Sequence, residues 1–469
     1  MNVKAITTAP EYTLVVPLGQ QRSTDMRTMD TAAQPDLFEQ AVSRAVSLPI
    51  DLHHDLRPGD VDSTNDRRTP VTPTTPGCRT SATATRTTTT SRTTTGCVSS
   101  AACSAAPPAD FSFALLVQAY LDCRRAKRNT PSARAFELHQ ERELSTLYTD
   151  LAAGTWTPGP STCFVITRPK PREVWAAPFR DRIVHHLLYN RVGAAIERTF
   201  ISDSCACIPG RGTGYAAERL ESKVRSITQN WSRPAWYLKL DLANFFVSIH
   251  KPTLRDQLAA RIRDPWWLAL ALQILLHNPR PEATVHGTSR LLARVPPHKR
   301  LGEQSPDRGL PIGNLSSQFF ANVYLDALDQ HVKHGLRCRH YVRYVDDFIL
   351  LHESPQQLNA WLDDLTAFLF ERLGVHINPA KTVLQPVERG IDFVGHLIKP
   401  WCRRTRPRTV RAALQRIERI PSADLHVSAN STFGLLRQAT HSHGDRARLA
   451  RLVRRRGLAV DMKLTKSYP

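Results

Sequence analysis

Helical and strand spacings of apolar residues alternate along the chain after residue 110. Apolar residues three and four positions apart predict helices, whereas alternation of apolar and polar residues predicts strands. Helices mixed with strands that are not neighbours in sequence indicate an α+β sheet covered by helices on one face. The predicted helices span residues 113–128, 132–151, 181–199, 266–276, 314–328, 355–373, 410–420 and 449–458, and the predicted strands span 164–175 and 341–351 as hairpins, 236–240 and 391–398.

The first 109 residues divide poorly into helices or strands. Between residues 67 and 108 the sequence is dominated by Thr, Ser, Ala, Pro and Arg, with runs of consecutive threonines. Such a segment cannot bury enough apolar area to offset its ordering entropy, so we expect disorder. It could serve as a tether or an RNA-contacting arm, or reflect an upstream reading of the start codon, since Met26 and Met29 are available. We expect no catalytic role for it.

The positive charge of the chain is concentrated in its patterned part. The net charge is +21, yet residues 1–110 hold 10 Lys and Arg against 11 Asp and Glu, while the rest hold 53 against 31. A basic folded body indicates a polyanionic partner, and the alternative is a solubilising surface charge.

Cysteine usage and hydropathy bear on the compartment. The nine cysteines are scattered, and the close pair Cys205 and Cys207 has no second pair at zinc-ligand spacing. An odd count without a framework is typical of a reducing compartment. The start does not match a signal peptide, and the most apolar run, 266–276, is shorter than the roughly 20 residues of a membrane span. We therefore expect a cytoplasmic protein with no membrane partner.

Two acidic segments, 105 residues apart, carry the candidate chemistry. Asp241 ends the apolar strand 236–240, and Asp346 and Asp347 join the two strands of the second hairpin. If these strands are neighbours, Asp241 and Asp346 can share two Mg²⁺ ions about 3.5–4 Å apart, with Asp347 in support. One ion would activate a primer 3′ hydroxyl, and the other would hold a triphosphate. The alternative is an ordinary solvated Asp-Asp turn.

Over residues 111–400 the chain resembles the reverse transcriptases. The stretch Asp-Leu-Ala-Asn-Phe-Phe at 241–246 is similar to the first catalytic motif of that family. The resemblance implies that Phe246 acts as a steric gate against the ribose 2′ hydroxyl, whereas Phe245 and Phe246 could also be core residues. The implied catalytic residues are Asp241, Asp346 and Asp347, and the implied ligands of two Mg²⁺ ions, with Mn²⁺ as a substitute, are Asp241, Leu242, Asp346 and Asp347.

The segment Gly-Leu-Pro-Ile-Gly-Asn-Leu-Ser-Ser-Gln at 309–318 resembles the family's loop and helix that support the incoming nucleotide. The resemblance implies nucleotide contacts from Ile312, Gly313 and Gln318. Retroviral and intron-encoded enzymes read Gln-Gly-x-x-x-Ser-Pro here, so Ile312 and Gln318 replace the glutamine and the proline. The pattern in this chain is typical of bacterial diversity-generating retroelements, where it is linked to error-prone copying of adenines, and some defence-associated enzymes share it.

Further basic and hairpin residues take roles only through the resemblance. Lys170 and Arg172 would lie over the triphosphate, and the alternative for each is a basic strand that faces nucleic acid. Lys381 aligns with a lysine proposed to protonate pyrophosphate, with an ordinary surface lysine as the alternative. Phe393 and Gly395 resemble a primer-binding hairpin, and the arginine-rich stretch from residue 403 would track phosphates in a salt-sensitive manner.

These observations predict an α+β right-hand polymerase fold. The expected regions are a low-complexity extension (1–109), N-terminal helices and fingers (110–235), a palm sheet backed by helices (236–400) and a small basic helical thumb (401–469). The resemblance implies an RNA-directed DNA polymerase that uses an RNA template, a DNA or RNA primer and dNTPs. Diversity-generating enzymes also use a small basic helical accessory protein. The alternatives are an antiphage-defence reverse transcriptase and an inactive nucleic-acid-binding palm; RNase H and endonuclease domains are not expected.

Overall fold

The computed structural model describes residues 106–125, 130–167 and 170–469. Residues 1–105, and with them nearly all of the low-complexity segment 67–108, therefore lie outside the described residues, as does the end of the helix predicted at 113–128. The helices are α1 Phe113–Arg124, α2 Pro131–Glu137, α3 Gln140–Ala153, α4 Phe179–Leu188, α5 Ala194–Glu197, α6 Thr213–Ile227, α7 Phe245–Ser248, α8 Lys251–Ala259, α9 Pro265–Leu276, α10 Ser289–Leu292, α11 Leu315–Gln330, α12 Pro355–Leu373, α13 Pro407–Arg419, α14 Ser422–Arg437 and α15 His443–Arg455.

Twelve strands form four sheets within the described residues. The strands are β1 Thr162–Ile166, β2 Arg172–Ala176, β3 Trp236–Asp241, β4 Thr284–His286, β5 Tyr341–Tyr344, β6 Asp347–His352, β7 Val383–Pro386, β8 Ile391–Phe393, β9 His396–Lys399, β10 Cys402–Thr405, β11 Ala459–Val460 and β12 Ser467–Tyr468. The sheet orders are β5-β6-β3-β7, β2-β1-β4, β10-β9-β8 and β11-β12.

The antiparallel sheet β5-β6-β3-β7, called the palm sheet below, is covered on both faces rather than on one. Its Leu238 and Leu240 belong to the large core that includes α11 and α12. Tyr237 and Ile349 belong to a second core with α6 and the β8–β10 sheet. Successive strand residues point to opposite faces, so a strand that is apolar at consecutive positions requires a cover on each side.

Several predicted elements differ from the observed ones in continuity. The helix predicted at 132–151 is interrupted at Leu138-His139 and forms α2 and α3. The strand predicted at 391–398 folds back at Val394-Gly395, where both residues have positive φ (41° and 90°), and becomes the β8–β9 hairpin. The predicted helix 181–199 continues from α4 to α5 through a π-helical turn, Tyr189–Gly193.

The C-terminal helices α13, α14 and α15 pack around a small core of their own. Its central residues are Val410, Ile417, Phe433 and Leu449, each at most 4% exposed. The region from residue 401 onward holds 16 Lys and Arg against four acidic residues. The α+β prediction with a helical C-terminal unit is confirmed. Within the described ranges, none of the helices combines the length and apolarity needed to cross a bilayer.

Candidate active site

Asp241 and Asp347 lie directly opposite each other on neighbouring strands of the palm sheet. They are the last Cα pair of the antiparallel β3–β6 ladder. The Leu242 N–H then donates to the Asp346 carbonyl at 3.1 Å, so the pairing continues one residue beyond the strands. The turn consists of Val345 and Asp346, with φ of 56° at Val345, and Asp347 is already the first residue of β6. The structure therefore places the main chains of all three aspartates next to one another, with the turn one residue earlier than predicted.

A buried ion pair fixes this turn from behind. Arg343 and Asp329 have side chains at most 1% exposed, and the Arg343 Nη2 lies 2.6 Å from the Asp329 Oδ2. Arg343 also donates from Nη1 to the Val345 carbonyl at 3.1 Å, which ties the guanidinium to the turn itself. Sequence reasoning missed this pair, although an arginine inside an apolar strand was a visible signal.

Burial and like charge disfavour ionisation of the turn carboxylates. Burial and the neighbouring Asp241 charge raise the pKa of Asp346 to about 6, while Lys381 and Arg172 oppose the shift. Burial also raises the pKa of Asp347 to about 6, against the opposing charge of Lys239. A cation bound between such buried, mutually repelling carboxylates would stabilise their ionised form.

Two lysines provide the cations that the structure itself places at the site. Lys381 Nζ lies 2.6 Å from Asp241 Oδ1, which brings the predicted residue to the aspartate cluster. Lys239 Nζ lies 3.1 Å from Asp347 Oδ2 and donates to the Asp392 carbonyl at 2.7 Å. Lys239 was not predicted; its signal was a charged residue between two buried leucines of β3.

The residues present fit a metal site that is completed by a substrate. Among the residues that the structure describes, no three His, Cys, Asp or Glu side chains converge as a preformed metal cluster. Mg²⁺ is commonly held by one or two carboxylates together with phosphate oxygens. Asp241 and Asp346 could supply the carboxylates, and a substrate would supply the phosphate oxygens. The buried Oδ1 of Asp347 has no hydrogen-bond partner and leaves one further acceptor. Leu242 could offer only its main-chain carbonyl, because its buried alkyl side chain has no atom that can bind a metal ion.

The glycine-containing loop at 309–314 packs against β2. Its Ile312 carbonyl accepts a hydrogen bond from the Trp175 N–H at 2.7 Å, and the Asn314 Oδ1 accepts one from the Ala177 N–H at 3.1 Å. Gly313 has φ of 128°, and a Cβ there would lie 2.8 Å from the Val174 Cγ1 and 3.2 Å from the Trp175 carbonyl oxygen. Only glycine fits this contact without strain. The loop thus joins the palm to the β1–β2 hairpin.

Phe246 lies beside this loop, and Phe245 lies in the core. Phe245 is 2% exposed, whereas Phe246 is half-buried, and their ring centroids are 5.5 Å apart. The Leu310 N–H donates to the Phe246 carbonyl at 2.8 Å, which fixes the gate candidate to the start of the loop. Of the other nucleotide candidates, Ile312 and Gln318 are half-buried.

The remaining predicted residues differ in exposure and in their contacts with the site. Arg172 is exposed at the start of β2, and its charge acts on Asp346. Lys170 is exposed on the connection before β2. Phe393 is fully buried, so only its main chain is available to a primer. Gly395 has open space where a Cβ would be, and its carbonyl accepts from the Arg406 N–H at 3.0 Å.

Comparison with known proteins agrees with this arrangement. Residues 168–398 match the family model described as reverse transcriptase (RNA-dependent DNA polymerase). The chain contains a reverse transcriptase domain. The matched region begins just before β2 and ends within β9, so it includes the palm sheet with Asp241, Asp346 and Asp347. The predicted family resemblance is confirmed at this level.

Relatives of the reverse transcriptase domain occur among curated proteins at low identity. The chain is 22% identical over 226 residues to the putative COX1/OXI3 intron 2 protein of Saccharomyces cerevisiae, covering 36% of this chain and 24% of that protein. It is 21% identical over 306 residues to the group II intron-encoded protein LtrA of Lactococcus lactis subsp. cremoris, covering 55% and 50%. The chain thus spans at most half the length of these curated relatives.

Solved telomerase structures are also similar to this chain. Apo telomerase from Candida tropicalis has a TM-score of 0.40 and 13% identity, covering 68% of this chain and 62% of that one. Telomerase from Candida albicans in complex with a fragment of telomeric RNA has a TM-score of 0.40 and 14% identity, covering 63% and 54%.

Proposed function

We propose that the protein is an RNA-directed DNA polymerase that extends a primer on an RNA template with dNTPs, using two divalent metal ions. The observation that carries the proposal is the paired position of Asp241 and Asp347, with Asp346 in the adjoining turn. The reverse transcriptase domain supports the reaction class. When bound, Mg²⁺ ions would activate the 3′ hydroxyl and offset the charge of the triphosphate.

The protein side chains hold the reacting groups. Asp241 and Asp346 would bind the ions, and Asp347, held by Lys239, would support Asp346. Arg172 would neutralise triphosphate oxygens with a planar fork of donors, and the exposed Lys170 would add a point charge. Lys381, already at Asp241, would give a proton to the leaving pyrophosphate.

Selection of the sugar and of the base would fall to the residues around the glycine-containing loop. The half-buried ring of Phe246 is proposed to pack under the sugar and to exclude a 2′ hydroxyl. Gly313 would allow the backbone to approach the nucleotide closely. Gly395 and the main chain of Phe393 are proposed to contact the primer.

The central test is the Asp346→Asn variant in magnesium-dependent primer extension on a defined RNA template. Removal of one shared carboxylate should lower the rate of dNTP incorporation by at least about 10³-fold, because metal binding and charge placement are lost together. Asp363→Asn, an exposed aspartate of α12, is the matched control and should keep normal activity. Normal incorporation by Asp346→Asn would falsify the assignment of the site.

Within this class we propose a diversity-generating retroelement enzyme that copies adenines with errors and works with a small basic helical accessory protein. Support comes from Ile312 and Gln318, which depart from the Gln-Gly-x-x-x-Ser-Pro pattern of intron-encoded enzymes. Restoring an amide near the nucleotide in Ile312→Gln should lower misincorporation opposite adenine by about 10-fold or more. Sequencing of the cDNA made by both proteins measures this, and identical error spectra would remove Ile312 from the account.

A further inference from the structure

Trp401 adopts a backbone conformation that its residue type disfavours. Lys399 and Cys402 are paired Cα partners of β9 and β10, so Pro400 and Trp401 form a two-residue turn. Trp401 has φ of 61°, and proline fixes its own φ near −65°. Glycine or asparagine normally occupies the second position of such a turn, because a side chain is strained there. A bulky residue kept at a strained position points to a function for its side chain.

The Trp401 side chain has no structural partner that explains this conformation. It is 60% exposed, and it is the only exposed residue among the eight tryptophans, all of which the structure describes. Within the described ranges, its ring stacks on no other ring, and its indole N–H donates no hydrogen bond. The ring is therefore presented mostly to solvent.

The hairpin that carries Trp401 has exposed basic side chains on one face, where the acidic residue of the neighbouring β8, Asp392, is paired with Arg406. Between residues 393 and 417 there are seven Lys and Arg and no Asp or Glu. Arg404 pairs with Leu397, and Lys399 pairs with Cys402, so the exposed Lys399 and Arg404 share the outer face of the β9–β10 pair. The neighbouring Arg403 points inward and pairs with Glu221 at 3.0 Å. An exposed aromatic ring beside unpaired cations suits a ligand that has both flat rings and phosphates.

We propose that Trp401 stacks on an unpaired base of single-stranded nucleic acid, while Lys399 and Arg404 contact its phosphates. Every base has a face that can stack on an aromatic ring, so this contact tolerates any sequence. The assignment of the strand to the RNA template or the primer rests on the proposed polymerase function. The turn lies at the opposite end of β9 from Gly395, at least about 13 Å along the strand, so this contact is separate from the candidate primer hairpin.

The test is equilibrium binding of fluorescent oligonucleotides to the full chain without dNTPs or divalent ions. Trp401→Ala should weaken the binding of a single-stranded RNA or DNA 20-mer by about tenfold, because a stacked base is lost. Trp401→Phe should stay within about threefold of wild type, and a blunt duplex of the same length should bind Trp401→Ala normally. Phe370→Ala removes a second exposed ring, 59% exposed on α12, and should change neither affinity.

A stability measurement separates this contact from a structural role. Trp401→Asn removes the ring and places a residue that tolerates positive φ at the turn. Its unfolding midpoint should equal or exceed that of wild type while its single-strand affinity falls as in Trp401→Ala. Unchanged single-strand affinity in both variants would overturn the proposal, and so would an equal loss for single strand and duplex. Because no turnover is measured, an inactive polymerase site would leave this result intact.

Discussion

The buried carboxylate behind the Val345-Asp346 turn has all its hydrogen bonds satisfied, whereas the half-buried carboxylate in front of it does not. Behind the turn, the Asp329 carboxylate accepts hydrogen bonds from the Tyr341 hydroxyl at 2.8 Å and from the Nε and Nη2 of Arg343 at 2.8 and 2.6 Å. In front of it, one oxygen of Asp347 contacts Lys239, and the other is buried without a partner. A hydrogen-bond network in which every group is paired holds the backbone in place. Buried acceptors without a partner lower stability and are available to bind a cation.

Breaking the network behind the turn should have the largest effect on stability. Asp329→Asn leaves the Arg343 guanidinium buried without a countercharge, which should lower the free energy of unfolding by about 3–5 kcal/mol. Denaturant unfolding of the variant and wild type measures the difference. The control is Asp256→Asn, which breaks a mostly exposed ion pair with Arg255 and should change stability by no more than about 0.5 kcal/mol. Equal losses in the two variants would remove the distinction between these ion pairs.

On the front side, the predicted role of Lys381 concerns rate rather than stability. Lys381 is nearly half exposed and pairs with Asp241, so its removal should leave folding intact. Lys381→Met should lower kcat for dNTP incorporation by about 10²-fold through loss of a proton donor, with little change in KM. Lys381→Arg keeps the charge but not a readily transferred proton, so single-turnover rates should also fall. Full activity of Lys381→Arg would show that the residue supplies charge alone.

Sequence patterns predicted the front of the turn better than its back. Asp241 ends one apolar strand, Asp347 begins another and Asp346 directly precedes it in the turn, so their proximity followed once the strands were assumed to be neighbours. The sequence around Arg343 shows a charged residue inside an apolar strand, but it does not identify Asp329 as the partner. That pairing depends on how α11 packs on β5. The link from Lys239 to Asp392 depends in the same way on a turn at Val394-Gly395 that periodicity alone did not reveal. Long-range polar partners are fixed by packing and not by spacing.

The smallest expected effect, and the one of opposite sign, belongs to the stability of the Asp346→Asn variant. Burial and Asp241 raise the pKa of Asp346 to about 6, so above that pH the folded state bears the cost of a charge that it disfavours. Below the ordinary aspartate pKa of about 4, the carboxyl is protonated in both states, and the cost disappears. In EDTA at pH 7.5, Asp346→Asn should therefore be more stable than wild type by about 1–2 kcal/mol.

The pH and metal dependence of that difference give it a distinct signature. The advantage of Asp346→Asn should shrink as the pH falls from 7.5 through 6 toward 4, because wild type then takes up the proton that relieves the repulsion. Added Mg²⁺ should raise the unfolding midpoint of wild type and not of the variant, since a ligand stabilises only the state that binds it. If Asp346→Asn were instead destabilised like Asp329→Asn at every pH, Asp346 would be a structural residue like Asp329, and the contrast between the two sides of the turn would be wrong.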